Sequence, residues 1–209
     1  MTRGSILVLN AGSSSLKFAL FDADGRDVLA PPRAHGEVEG LGTQPRLTVD
    51  RAGGGGIARD LTASEARTPE DAIGLVVGWL REHRGDDALA AVGHRVVHGG
   101  TVFTRPTLVD DDVYRQIEAL VPLAPLHQPQ NLAAIRAVRA WRRDLPQVAC
   151  FDTAFHRDHP LLADLYALPW EYYEAGVRRY GFHGLSYEYV ASILPQIAPD
   201  LAAGRTIVA

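Results

Sequence analysis

Apolar and polar positions change period several times along this chain, and each change marks a different element. Ile6 to Leu9 is a short apolar run, the pattern of a strand covered on both faces. Asn10 to Ser15 is polar; Gly12 permits a sharp reversal there, and the three serines favour a turn by bonding nearby backbone. The period then becomes two, so Leu16, Phe18 and Leu20 share one face of a second strand. Ser13, Ser15 and Lys17 fall on the other face if that strand begins so early. Asp22 to Gly25 reads as a turn, and Arg26 to Ala30 continues an antiparallel meander, joined by short strands over Arg46 to Asp50 and Gly56 to Leu61. The glycines from Gly53 to Gly56 lack an adjoining helix and polar partners, so they read as a hairpin tip.

Beyond residue 68 the period lengthens. Thr68 can cap a helix, Pro69 suits its first position, and Ala72, Ile73, Val76, Val77 and Leu80 form one apolar stripe. Ala88 to Val97 is a further strand. Asp110, Asp111 and Asp112 open a helix through Val113, Ile117 and Leu120, where acids complement the helix dipole. A proline-punctuated loop over 123–131 leads to a helix from Leu132 to Arg143. Val148 begins a buried strand ending at Asp152, a helix follows from Ser186 to Leu194, and Arg205 to Ala209 starts one more strand. Strands alternating with helices in this way define an α/β chain.

Composition narrows the class. A chain of 209 residues, 46% hydrophobic and 22% charged, can bury a substantial core and suits one or two domains. The net charge of −4 supplies no field for nucleic acid or anionic lipid. No apolar run approaches the roughly 20 residues of a membrane span, and Met1 to Gly4 leads into a strand rather than a leader peptide. Cys150 is the one cysteine, which excludes an internal disulfide and a cysteine-based zinc site. A cytoplasmic protein is the expectation.

Five stretches carry candidate chemistry. The turn after the first strand sets an Asn amide, hydroxyls, backbone N–H groups and Lys17 together, a combination suited to a phosphate and its metal. It is not a P-loop, because Leu16 precedes Lys17 and a strand follows. His94 and His98 share one face of the Ala88–Val97 strand, while Arg95 and Val97 share the other. Arginine's planar fork suits a carboxylate or phosphate, although a structural salt bridge would use it equally well. His127 sits just before a helix start, where an imidazole can meet an anion. Asp152 ends a strand, as ligand-binding groups do in open α/β sheets, and His183 lies between two glycines that let backbone and ligand approach closely.

Five separated motifs occur in one family order: Asn10-Ala11-Gly12-Ser13-Ser14-Ser15-Leu16-Lys17, Gly93 to Gly100, Pro125-Leu126-His127, Phe151 to His156, and Arg179 to Gly184. In this arrangement the chain resembles the acetate kinase family, carboxylate kinases of the acetate and sugar kinase, Hsp70 and actin superfamily. The resemblance runs from residue 6 to the end. It implies a ribonuclease H-like mixed β-sheet flanked by helices, the first half of a two-domain actin-like kinase about twice this length. Residues 1–204 would form the acetate-binding domain, and 205–209 the first strand of a nucleotide-binding domain. That domain would carry the glycine-rich ATP loop, a later arginine and a metal-binding glutamate.

The resemblance further implies reversible transfer of the γ-phosphoryl group of ATP to acetate, giving acetyl phosphate and ADP, with Mg2+ or Mn2+. Arg95 would grip the carboxylate or the phosphoryl group, and Val97, Leu126 and Phe182 would line a small methyl pocket. His183, helped by His127, would donate to a phosphoryl oxygen; Asn10 would orient the magnesium shell; Ser13, Ser15 and Lys17 would face the nucleotide phosphates. Asp152 is expected mainly to order magnesium or its waters, since acetate is already ionised at neutral pH. Family members are commonly homodimers. Gln128 and Gln130, and later Leu185 and Tyr187, depart from the commonest family pattern, which admits propionate or butyrate as alternative substrates. A carboxylate-binding module without transfer is the third reading of a chain this short.

Overall fold

The computed structural model describes residues 4–24, 30–83 and 88–204. An antiparallel meander opens the chain: β1 (Gly4–Ala11), β2 (Ser15–Asp22), β3 (Ala34–Glu39), β4 (Arg46–Arg51) and β5 (Ile57–Asp60). α1 (Pro69–His83) then carries the chain back to β6 (Ala88–Val96), which lies parallel to β1. After β7 (Thr107–Leu108), α2 (Asp111–Ala119) and α3 (Gln128–Trp141), β8 (Gln147–Phe151) adds parallel to β6. The eight strands form one mixed sheet in the order β5-β4-β3-β2-β1-β6-β8-β7. α4 (Leu161–Asp164), α5 (Trp170–Glu174), α6 (Gly184–Ile197) and α7 (Pro199–Ala202) complete the described chain.

Period-two patterning places the core. Leu7, Leu9 and Ala11 of β1, Leu16, Phe18 and Leu20 of β2, and Val92 of β6 face the same side and meet Ile73, Val76 and Leu80 of α1. α3 closes that layer with Ala134 and Val138. A second cluster, around Val96, Ile117, Ile135 and Phe151, fixes the β8 side, where the rings of Phe103 and Phe151 stack 4.7 Å apart. α1 is closed at its start by a reciprocal cap: Thr68 Oγ1 accepts from the Asp71 N–H, and Asp71 Oδ2 accepts from the Thr68 N–H.

Several expectations are revised by packing. β1 is not covered on both faces: Val8 is 37% exposed, because α1 and α3 take one side of the sheet and α6 covers the other only near β8. α3 begins four residues earlier than the apolar stripe suggests, since Pro129 occupies a first-turn position where its missing N–H costs nothing. α6 runs from Gly184 to Ile197, beyond both expected ends. β3 was not foreseen, as only Ala34 and Val38 are buried in it. Its Gly36 lies beneath the Phe18 ring, where a Cβ would come within 2.8 Å of that ring and 2.2 Å of the Thr48 carbonyl. The strand expected over Arg26–Ala30 falls largely on residues outside the described ones, as does the one over 205–209. The triple-aspartate stretch is a helix start, with Asp110 Oδ1 accepting from the Val113 N–H at 2.7 Å.

His94 is buried in the helix-facing side of β6, where Nε2 donates to Gln147 Oε1 at 2.8 Å and Nδ1 has no partner. Burial lowers its pKa from 6.5 to about 4, so the folded state holds it neutral. The unfolded chain takes up that proton below pH 6.5 and the folded chain only below about 4. Stability is therefore expected to fall as pH drops from 6.5 toward 4, by up to roughly 3 kcal/mol from this group. Urea unfolding at pH 7.5 and 5 checks it: His94→Gln should flatten that slope, and an unchanged slope would assign the loss elsewhere.

Candidate active site

Three parallel strands, β1, β6 and β8, end side by side, and their carboxyl ends carry Asn10, Arg95 and Asp152. Ladder register makes this meeting. Leu9 pairs with His94 and Arg95 with Cys150, so Arg95 follows directly beside Asn10, while Asp152 stands one residue past the Val96–Phe151 pair. Arg95 Nε lies 3.0 Å and Nη2 2.5 Å from Asp152 Oδ2, and Nε also reaches Oδ1 at 3.2 Å. Its Nη1 donates to Asn10 Oδ1 at 3.1 Å. Asp152 is 2% exposed, whereas the Arg95 side chain keeps 31% of its surface open. A carboxylate so buried needs a cation, and the guanidinium supplies one with two parallel hydrogen bonds.

Beside this pair lies a cavity of about 310 Å³, lined by Arg95, Val97, Leu123, Ala124, His127, Asp152, Phe182 and His183. Residues from four separated motifs thus share one space. Alternation holds here as expected: Arg95 and Val97 face the cavity, while His94 points to the helix layer. His98 lies beyond the end of β6 and is buried, its Nδ1 accepting from the Gly100 N–H at 2.9 Å. Its ring meets the Tyr180 and Phe182 rings edge-on, and burial lowers its pKa. Leu126 is placed differently from the expectation: it is 75% exposed and does not line the cavity, and Leu123 and Ala124 form that wall. The reason is local. Val121–Leu123 winds as a 3-10 turn, which points Leu123 rather than Leu126 inward.

His183 caps α6 in the left-handed conformation, φ 58°, the one non-glycine residue with positive φ among the described residues. Held there at some cost, its imidazole borders the cavity. The turn is locked from behind: the Gly184 N–H donates to the Asp152 carbonyl at 2.8 Å. A Cβ on Gly184 would lie 2.4 Å from that carbonyl oxygen, so only glycine lets α6 start against the strand end. His127 stands at the N-cap of α3 without a side-chain capping bond, leaving its imidazole uncommitted at the cavity edge.

The phosphate-type turn is built otherwise than the sequence suggests. β2 begins at Ser15, so Ser13 belongs to the turn and only Ser15 and Lys17 share the strand's outer face. Gly12 does not adopt positive φ, and a Cβ there would make ordinary contact; the turn is closed by its N–H donating to the Ser15 carbonyl at 2.8 Å. Lys17 pairs across the ladder with Asn10; its side chain is 62% exposed and its ammonium lies 3.9 Å from Glu37. Oxygen donors suited to a hard cation are Asn10 Oδ1 and the Asp152 carboxylate, both adjoining Arg95. Among the described residues no three His, Cys, Asp or Glu side chains are grouped so that they could hold a metal ion by themselves. The donor set fits a magnesium ion that keeps most of its waters and its substrate phosphates, rather than a closed protein cage.

This mixed sheet with its flanking helices is the architecture of acetate and propionate kinases. It superposes on a Porphyromonas gingivalis acetate kinase with a TM-score of 0.81 at 33% identity, over 94% of this chain and 49% of that one. A propionate kinase from Francisella tularensis matches with a TM-score of 0.82 at 35% identity, again over 94% and 49%. The sequence matches the acetokinase family over residues 5–202, and the chain belongs to that family. It is 52% identical to an acetate kinase of Nitrobacter hamburgensis and 50% identical to one of Rhizobium meliloti, over 98% of this chain in each case. Those matches cover 50% and 52% of the relatives, so the chain spans about half the length of the curated relatives it matches.

The left-handed cap generates a test that separates fold from chemistry. His183→Asn is expected to leave stability within about 0.5 kcal/mol, since asparagine tolerates this conformation. His183→Val should cost on the order of 1–3 kcal/mol, because a β-branched residue resists positive φ. Guanidinium unfolding of the two variants decides; equal losses would show that the backbone strain is unimportant.

Proposed function

We propose that this chain is the acetate-binding half of an acetate kinase, which transfers the γ-phosphoryl group of ATP to acetate and gives acetyl phosphate and ADP reversibly. The observation that carries this reading is the single cavity where Arg95, His127, Asp152 and His183 converge against the apolar Val97 and Phe182. Three of the five guanidinium N–H groups of Arg95 are engaged with Asp152 and Asn10, which leaves two for an incoming carboxylate or phosphoryl oxygen. Val97, Phe182, Leu123 and Ala124 give the acyl methyl group an apolar wall. His183 and His127 donate to oxygens that gain charge during transfer. Ser13, Ser15 and Lys17 face the nucleotide phosphates.

Bound magnesium would supply neutralising charge for the phosphate oxygens. Asn10 and Asp152 would hold its waters, which gives Asp152 an orienting role rather than a proton-transfer one. Residues 1–204 supply the carboxylate site, and 205–209 lead into the nucleotide-binding half. The whole enzyme would be cytoplasmic and homodimeric. Donor and acceptor must be positioned together for phosphoryl transfer, so the 209-residue polypeptide alone is expected to bind carboxylate and transfer nothing.

A hydroxamate assay with acetate, ATP and Mg2+ tests this on the chain alone and on the chain joined to the second half of the Rhizobium meliloti acetate kinase. Activity is expected only in the joined protein, reduced about 100-fold or more by Arg95→Ala. Turnover by the chain alone would overturn the half-enzyme reading; a joined protein indifferent to Arg95→Ala would overturn the site. Propionate is run alongside, because the Francisella tularensis neighbour is a propionate kinase; faster turnover of propionate would reassign the substrate.

A further inference from the structure

The β1–β6 ladder stops at the Leu9–His94 pair, and past it the two strand ends must separate to admit ligand. Separation strips backbone groups of their ladder partners: the Ala11 carbonyl on β1, and the Val97 N–H just beyond β6. Each would cost free energy if buried unpaired. One side chain serves both. Asn131, in the first turns of α3 and 1% exposed, donates from Nδ2 to the Ala11 carbonyl at 2.9 Å and accepts at Oδ1 from the Val97 N–H at 3.0 Å.

One helical turn earlier, Gln128 does the same for the next residue. Fully buried, it accepts from the His98 N–H at 3.2 Å and donates to the His98 carbonyl at 2.9 Å, with a weaker contact to the Ile117 carbonyl at 3.3 Å. A side-chain amide carries the same donor and acceptor as a peptide unit. The two side chains therefore act as a short piece of substitute strand, inserted where β1 and β6 part.

We propose that Asn131 is a positioning residue that sets the separation between the turn after β1 and the Val97 wall after β6. Resting on the proposed function, these two strand ends are the phosphate-facing and acyl-facing sides of one site, so their spacing fixes the gap between phosphoryl donor and acceptor. Neither Asn131 nor Gln128 lines the cavity; both act through the backbone that does. On the opposite face of the sheet, the Arg95 bond to Asn10 pulls the same two strands together. The opening is thus held between a tie and a spacer.

Amide hydrogen exchange on the 209-residue chain, read residue by residue by NMR, tests the assignment. Asn131→Leu keeps the volume and removes both bonds: the Val97 amide should exchange roughly tenfold faster or more while Leu7, inside the ladder, is unchanged. Asn131→Asp keeps the acceptor for Val97 and loses the donor to Ala11, so Val97 should stay protected while the Ala11 and Gly12 resonances move. Unchanged Val97 exchange in Asn131→Leu, or equal acceleration throughout the sheet, would overturn the spacer role. If the leucine variant does not fold, the aspartate variant decides: an accelerated Val97 amide, or Ala11 and Gly12 left in place, overturns it. An acetate titration of the wild-type chain judges the underlying reading separately, since no shift at Val97 would sink carboxylate binding and leave the exchange result standing.

Discussion

The structure depends on a buried carboxylate. Asp152 could not sit at 2% exposure without a cation, and the one it has, Arg95, comes from the neighbouring strand and is itself steadied by Asn10 from the next. This chain of polar contacts requires β1, β6 and β8 to stop together and in one register. It also dictates what surrounds the strand ends. The Asp152 carbonyl takes the first N–H of α6, which demands glycine at 184 and throws His183 into the left-handed conformation beside the cavity. One charge pair therefore orders three strands, a helix start and an imidazole.

Much of this was legible in the residues. Period-two alternation separates Arg95 and Val97 from His94, and the fold keeps that division. Leu16, Phe18 and Leu20 share a buried face as the pattern requires. What escaped is what depends on neighbours. β3 lacks a hydrophobic signature because much of its stability comes from backbone pairing with β2 and β4, and Gly36, a poor strand former, is there to make room for Phe18. Leu126 had the right motif for a pocket wall, yet a 3-10 turn upstream turned Leu123 inward instead. Asn131 carried no signal at all. Its two partners, Ala11 and Val97, lie 120 and 34 residues away along the chain, and no local pattern records that they part beside it.

The sheet is also two-sided in a chemical sense. Toward α1 and α3 it packs a broad apolar layer, and the polar side chains of Asn10, Lys17 and Arg95 stand on the other face. The polar side chains buried on the packing side, among them His94, Gln147, Gln128 and Asn131, are hydrogen-bonded there.

The hairpin tip at Gly53 to Gly55 lies at the far edge of that sheet, four strands from β1. Three successive positive-φ glycines there face open space, with nothing within 4 Å of where a Cβ would stand. A peptide tag or fluorophore-bearing loop spliced into this tip would meet no neighbouring side chain and would leave the register of β1, β6 and β8 untouched. The meander thus gives the molecule a handle, set well away from the strand ends that carry Asn10, Arg95 and Asp152.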